Sequence, residues 1–236
     1  VSERFYAPGP YVDRVATLDA DEAHHLARVS RHGPGDLVEV FDGLGAAWTA
    51  RVESVGRDRA TLALIDPIVA DDAPRFTLIL ATAVPKGERF GWLVEKATEI
   101  GVTCLVPLVF RRSVVEPGSA KLDRLRRRVI EACKQSRRAR IMELDSPRAA
   151  TQFLTAPRPG LRCLADRGGQ RPAGRATDGI GTLVVGPEGG VDDRERELAA
   201  AHGWSTFGLG PTVLRTETAG LVGAARLLAM AEGDDP

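Results

Sequence analysis

Two glycine-bearing loops hold the residues of this chain best suited to chemistry. The first lies in LVVGPEGGVDDRE, residues 183–195, where an apolar strand runs into Gly186, Pro187, Glu188, Gly189 and Gly190. A strand, a glycine loop and a helix N-terminus together attract anions, because bare backbone N–H groups point at the ligand. Glu188 at the centre of the loop argues against a phosphate. The second, LGPTVLRTETA at 209–219, again stands between a strand and a helix. Neither loop matches GxGxxG and neither carries the lysine of a P-loop, so the signature of a nucleoside triphosphate site is missing. Paired loops at strand ends are where an α/β domain places a ligand. Backbone amides and carbonyls beside apolar Leu209, Val213 and Leu214 suit a flat, neutral adenosine that bears a cationic group.

Such loops need a sheet behind them. FTLILATAV, from Phe76, leads into GERFGWLVEKATEIG, where Phe90, Leu93, Val94, Ala97 and Ile100 recur at helical spacing, and VTCLVPLVF follows as a buried strand. This predicts a βαβ unit. A second helix is expected over about 119–138, then strands near ARIMEL, LRCLAD and GTLVVG. A helix from Asp192 to His202, a strand at STFGLG and a final helix complete an α/β sheet. RGGQRPAGRATDG, 167–179, reads as a surface loop. The final helix, ETAGLVGAARLLAM, has apolar and small residues all round, so it is expected to be buried on more than one side. It lies either in the core of one chain or also against a second subunit, with Gly220, Gly223 and Ala224 permitting close approach.

Before residue 70 the pattern is different. DLVEVFDGLGAAWTARVESV alternates apolar and polar residues around a break at Asp42-Gly43, as a hairpin would, and RATLALID continues the sheet. One helix interrupts it, DADEAHHLARVSRHG, capped by Asp19 or Asp21 and closed by Gly33-Pro34, with Leu26 and Val29 facing inward. His24, Arg28 and Arg31 fall on its other side, beside Arg4, Phe5 and Tyr6. This stripe is either a solvated face or an RNA contact built of phosphate-binding arginines and a stacking aromatic. VADDAPRF, 69–76, has the composition of a linker.

The chain has 236 residues, 43% of them hydrophobic, which suits one large domain or two modest ones. No segment is long and apolar enough for a membrane span, and VSERFYAPGP lacks the core of a signal peptide, so the expected location is the cytoplasm. Cys104, Cys133 and Cys163 are odd in number and widely spaced, which fits reduced thiols and gives no metal site. Formal charge is zero, so any polyanion must meet local patches. RLRRRVIEACKQSRRAR, with basic residues at 124, 126, 127, 128, 134, 137, 138 and 140, is such a patch and points to RNA. Only four of the 32 basic residues are lysines, either from genomic composition or from arginine's fit to phosphates and bases.

GPEGG with Glu195, then LG and VLRTETA, resembles the SPOUT methyltransferases, which bind S-adenosylmethionine in a trefoil knot. KGERFGWLVEKATEIGV, RRSVV, EACKQSRR, RFY and EAHHLARVSRHGPGD narrow the resemblance to the RsmE family, which methylates N3 of a uridine in 16S ribosomal RNA. The resemblance runs from Arg4 to about Ala229. It implies a PUA-like RNA-binding β-barrel domain over 1–72, a SPOUT α/β knotted methyltransferase domain over 73–236, and a homodimer acting on the small ribosomal subunit. By resemblance, Gly186, Pro187, Glu188, Gly189, Leu209, Gly210, Val213 and Leu214 enclose S-adenosylmethionine, which has no phosphate, so Glu188 need not repel it. Glu188 either attracts the sulfonium or hydrogen-bonds the neighbouring loop. Val191 and Asp192 depart from the family's usual larger apolar residue and serine, and Cys133 from a small residue; Asp caps a helix as well as serine does.

Methyl transfer to N3 needs an in-line approach, loss of the N3 proton and a cation for charge on O2 and O4. The catalytic expectations are Arg215 as the cation and Glu217 as the base, the latter equally a residue that stabilises its helix dipole. The expected RNA grip is Arg4, His24, Arg28 and Arg31 with Arg111, Arg112, Arg137 and Arg138. Alternative readings are a SPOUT enzyme for another RNA site or atom, a ribosome-assembly factor that holds the cofactor without turnover, and a nucleotide-binding module.

Overall fold

The computed structural model describes residues 3–68, 74–115, 119–170 and 179–233. The chain divides into two compact units, Val1–Ala73 with Ile130–Ile141, and Pro74–Val129 with Met142–Pro236. The expected linker core at 69–73, and with it the expected boundary after residue 72, lies outside the described residues.

The first unit is a five-stranded sheet in the order β1-β3-β4-β5-β2, formed by β1 (Arg4–Tyr6), β2 (Val15–Leu18), β3 (Leu37–Phe41), β4 (Ala47–Val55) and β5 (Ala60–Ile68). The expected hairpin is β3 and β4, paired antiparallel with Val40 opposite Trp48. Alternation puts Val38, Val40, Val52 and Leu62 into one core with Phe5, Leu18 and Leu26. The helix is short: α1 (Ala20–His24) is capped by Asp19, whose side chain accepts from the Glu22 N–H, and it widens at once into a π turn over His25–Val29. There the Ser30 N–H reaches back five residues to the His25 carbonyl. The wider turn rotates the helical phase, so Leu26 is buried but Val29, expected inside, is 63% exposed.

Residues 130–141 complete this unit. Lys134 Nζ, buried, donates to Glu22 Oε1 at 2.8 Å, and Glu22 Oε2 accepts from the Tyr6 N–H at 3.1 Å. Arg137 forks onto both oxygens of Glu39, and the Gly45 N–H donates to the Ala139 carbonyl. These bonds group the end of the basic helix with strands that precede it by about a hundred residues.

The second unit is a parallel sheet in the order β12-β10-β11-β6-β7-β8, with β9 also on β7. Its elements are β6 (Thr77–Ala83), α2 (Arg89–Glu99), β7 (Cys104–Val109), α3 (Ser119–Ser136, from which Ile130 onward groups with the first unit), β8 (Glu143–Leu144), β9 (Arg148–Ala149), α4 (Ala150–Thr155), β10 (Leu161–Gln170), β11 (Ile180–Val185), α5 (Asp193–Ala201), β12 (Ser205–Phe207) and α6 (Thr216–Glu232). β6, β7 and β11 read as near-continuous apolar runs because a central parallel strand is covered on both faces. α2 buries Phe90, Leu93, Val94 and Ala97 as expected, whereas Ile100, its C-cap, is exposed where the helix ends. β9 and α4 went unread, being too short for periodicity. Residues 167–170, expected in a loop, extend β10; its pairing with β12 shifts register between Ala165 and Gln170. Residues 171–178 of that loop lie outside the described residues.

α6 packs on α2, β6 and β11. Its Gly220 and Gly223, expected to permit close approach, spend their smallness within their own unit, on α2 and the sheet, and Ala224 is buried. An added Cβ at Gly223 would stand 2.5 Å from Leu183 Cδ2, and one at Gly220 3.3 Å from Leu93 Cδ1.

Candidate active site

The ends of β10 and β11 and the start of α6 wall a cavity of about 230 Å³. Val185, Gly186, Pro187, Glu188 and Gly190 form one side, and Leu209, Gly210, Thr212, Val213 and Leu214 face them. Thr216 and Ala219 of α6, with Ala165, Asp166, Arg167, Val191 and Arg196, complete it. The first loop is tight by necessity. The Gly190 N–H closes a turn onto the Pro187 carbonyl, and a Cβ at Gly186 would sit 2.4 Å from Val191 Cγ2.

The loop is braced from several directions. Asp192 caps α5 in a capping box, its side chain accepting from the Arg194 N–H while Glu195 Oε2 accepts from the Asp192 N–H. The buried Glu195 also accepts from the Arg111 N–H through Oε1, at 2.9 Å. Arg112 Nη1 donates to the Gly189 carbonyl at 3.0 Å, and Arg111 Nη1 lies 3.4 Å from Asp192. Thr216 Oγ1 donates to the Gly186 carbonyl, tying the first loop to the helix that follows the second. On the far wall Arg196 pairs with Asp166 and donates from Nε to the Val191 carbonyl.

Seven of the eight expected cofactor residues line the cavity; Gly189 does not, and its neighbour Gly190 does. Arg215 and Glu217, the expected catalytic pair, flank Thr216 without lining the cavity themselves. Arg215 is the exposed N-cap of α6. Glu217 is 5% exposed, with Oε1 3.7 Å from Arg89 and Oε2 buried without a hydrogen-bond partner among the described residues. Asp166 and Arg196 were missed. The available signal was position: Asp166 follows the apolar stretch of β10, at the carboxyl end where such sheets bind ligands.

The sequence matches the RNA methyltransferase domain family over residues 72–228 and the RNA methyltransferase PUA domain over residues 18–65. It is 32% identical to ribosomal RNA small subunit methyltransferase E of Synechocystis over 235 residues, 96% of this chain and 77% of that one. The enzyme of the same name from Mycobacterium bovis is 33% identical over 90% of this chain and 86% of its own. The chain belongs to the ribosomal RNA small subunit methyltransferase E family. Among solved members, the Neisseria gonorrhoeae enzyme bound to S-adenosyl methionine superposes with a TM-score of 0.90 at 27% identity, covering 98% of each chain. A methyltransferase from Legionella pneumophila in complex with SAM gives 0.86 at 28% identity, covering 97% of this chain and 98% of that one.

The residues expected to grip RNA fare unequally. In the PUA-like unit of this family member, His24, Arg28 and Arg31 are exposed, Arg31 with a left-handed backbone (φ 60°) beyond the π turn. Arg4 is only 9% exposed, its guanidinium 4.8 Å from the Phe41 ring centroid, and Phe5 is buried, so neither offers a stacking surface. Arg4, His25, Lys134 and Arg137 line a second cavity of about 300 Å³ in that unit, opposed by Glu3 and Glu131. Arg111 and Arg112 are exposed, yet both hold the first loop or its helix cap. The basic helix is largely neutralised within the chain: Arg124 pairs with Glu88, Arg126 with Asp123, Arg128 with Glu88 and Glu95, and Arg137 with Glu39. Among the described residues no cluster of His, Cys, Asp or Glu is placed to hold a metal, and no helix is long and apolar enough to cross a membrane.

Proposed function

We propose that this chain is an S-adenosylmethionine-dependent methyltransferase that methylates N3 of a uridine in the 16S RNA of the small ribosomal subunit. The observation that carries the reading is the cavity between the two loops, which offers apolar walls and backbone groups and no phosphate-binding lysine. The cofactor fits these residues in kind: the apolar lining suits an adenosine, and the charged lining side chains, Asp166 and Glu188 against Arg167 and Arg196, suit a ligand that carries a sulfonium and an ammonium beside a carboxylate. Leu209, Val213 and Leu214 would cover the adenosine, and the amides around Gly186–Gly190 would meet its polar edges. Bound there, S-adenosylmethionine supplies an electrophilic methyl group on its sulfonium.

The chain's own work is positioning, which accounts for much of the rate in such a transfer. N3 lies on the pairing edge, so the uridine must leave its helix, and exposed Arg28 and Arg31 are the proposed holders of the flanking strand. Arg215, at the junction of the second loop and α6, would fork onto a uracil carbonyl and stabilise the anion formed when N3 gives up its proton to solvent water. Glu217 takes a bracing part in this reading, because it is buried against Arg89 and off the cavity wall. A barrel closure of the first sheet, a trefoil knot around residues 186–232 and a homodimer belong to the same proposal. Exposed Trp92 and Ala225 on the packed pair α2 and α6 support a covering second copy, which light scattering would test. A cytoplasmic location accords with the ribosomal substrate.

The deciding experiment is methyl transfer from labelled S-adenosylmethionine to small subunits that lack the modification, with nucleosides identified by mass spectrometry. Label in 3-methyluridine is the expected result. Label in another nucleoside would discard the target, and binding of both partners without transfer would favour an assembly factor.

A further inference from the structure

Arg89 stands outside every role assigned so far except that of a neighbour. It opens α2, and its Nη1 lies 3.6 Å from Glu188 Oε1 and 3.7 Å from Glu217 Oε1. The two carboxylates belong to different pieces of chain. Glu188 is the middle of the first loop, and Glu217 is the second residue of α6, directly after the second loop. Glu217 is buried with one oxygen unpartnered among the described residues, and a buried carboxylate persists only where a cation or strong donors compensate its lost hydration. Arg89 is the cation placed to do so. Glu188 is exposed, so its attraction to Arg89 contributes little to folding. Its consequence is geometric, since it draws the tip of the first loop toward the helix that carries the second.

We propose that Arg89 is a positioning residue for the cofactor, whose single guanidinium, shared between Glu188 and Glu217, sets the gap across which the two loops hold S-adenosylmethionine. The inference rests on the reading that this cavity takes that cofactor. The hydrogen bond from Thr216 to the Gly186 carbonyl fixes the base of the first loop independently. Loss of Arg89 therefore frees the tip while the base stays tied, and the effect falls on affinity for the cofactor.

The test is calorimetric titration of S-adenosylmethionine into the full-length protein and its Arg89→Ala, Arg89→Lys, Glu188→Gln and Arg89→Ala/Glu188→Gln variants, with kinetics on small subunits. Arg89→Ala should weaken cofactor binding about tenfold, a usual size for coupling between two sites. Arg89→Lys keeps the charge and should recover part of the loss. The double variant should bind no worse than Arg89→Ala, because both changes cut one link. The KM for the cofactor should rise while kcat at saturating cofactor and the KM for the RNA stay put, a split that general loosening of the fold would not give. Wild-type affinity in Arg89→Ala, or losses that simply add in the double variant, overturns the proposal. Should Arg89→Ala fail to fold by circular dichroism, Glu188→Gln is compared in the wild-type and Arg89→Lys backgrounds, and equal losses of affinity in the two overturn the proposal. If the wild-type protein itself takes up no S-adenosylmethionine, the functional reading fails, and the fault is not that of Arg89.

Discussion

Replacing Lys134 with methionine should destabilise the first unit severely. The Lys134 side chain is 6% exposed, and its ammonium lies 2.8 Å from Glu22 Oε1 and 3.0 Å from Glu131 Oε1. Methionine fills a similar volume but leaves the Glu22 carboxylate buried, with the Tyr6 N–H as its remaining partner among these contacts. Breaking one side of a buried pair costs about 3–5 kcal/mol. Glu131 is half exposed and returns to water at small cost. Against a typical total of about 5–15 kcal/mol, the loss is between about a fifth and the whole of the stability. Glu22→Gln in the same chain removes the stranded charge while keeping an acceptor for Tyr6, so the double variant should recover most of it. Urea unfolding followed by far-UV circular dichroism measures both, with the midpoint falling and the slope unchanged. A Lys134→Met variant within about 1 kcal/mol of wild type would refute the claim that this pair holds residues 130–141 in the first unit. So would a double variant whose loss equals the sum of the singles.

Single features give further expectations. Burial pushes the thiols of Cys163 and Cys104 up to about 12, with Glu143 and Asp145 adding to the effect at Cys104. Both should stay protonated at pH 8, leaving Cys163 inert to a thiol reagent until urea is added. The stability they contribute is complete below the ordinary thiol value and is lost as pH climbs toward 12, which a series of urea midpoints would show. Gly223→Ala places a methyl against Leu183 and Leu209 and should cost about 1–3 kcal/mol, read as a lower Tm; an unchanged Tm means α6 can shift outward. Arg28→Ala with Arg31→Ala should weaken RNA binding and flatten its salt dependence by roughly 0.7 per lost phosphate contact, leaving cofactor affinity intact. An equal loss of both affinities counts against the assigned grip.

What the sequence disclosed depended on how local the cause was. The inward face of α2 was legible because four apolar residues at helical spacing decide it without help from elsewhere. Val29 was not, because a π turn leaves no mark on an apolar pattern and rotates every side chain beyond it. The loop glycines announced a tight turn, since a backbone that must approach a neighbour closely tolerates no side chain, and the cavity lies beside it. Arg89 and Asp166 carried no such announcement, as each acquires meaning only from partners on distant loops and helices. The basic helix shows the same limit from the other side. Its charge was plain to see, but the acidic residues that meet it lie anywhere from three to about a hundred positions away, and a one-dimensional pattern cannot show that they do. Lys134 and Glu22 are 112 residues apart, which is why no local pattern links residues 130–141 to the first unit.

That distant pairing has a consequence for how the protein is made. The first unit cannot finish folding when its own sheet has been synthesised, because Lys134 and the residues around it have yet to be translated. At about 5–20 residues per second, the wait between residue 73 and residue 130 is about 3–12 s, during which the carboxylate of Glu22 has no ammonium to meet. The N-terminal sheet leaves the ribosome as an unfinished part, and its completion is timed by synthesis of the enzyme's second half.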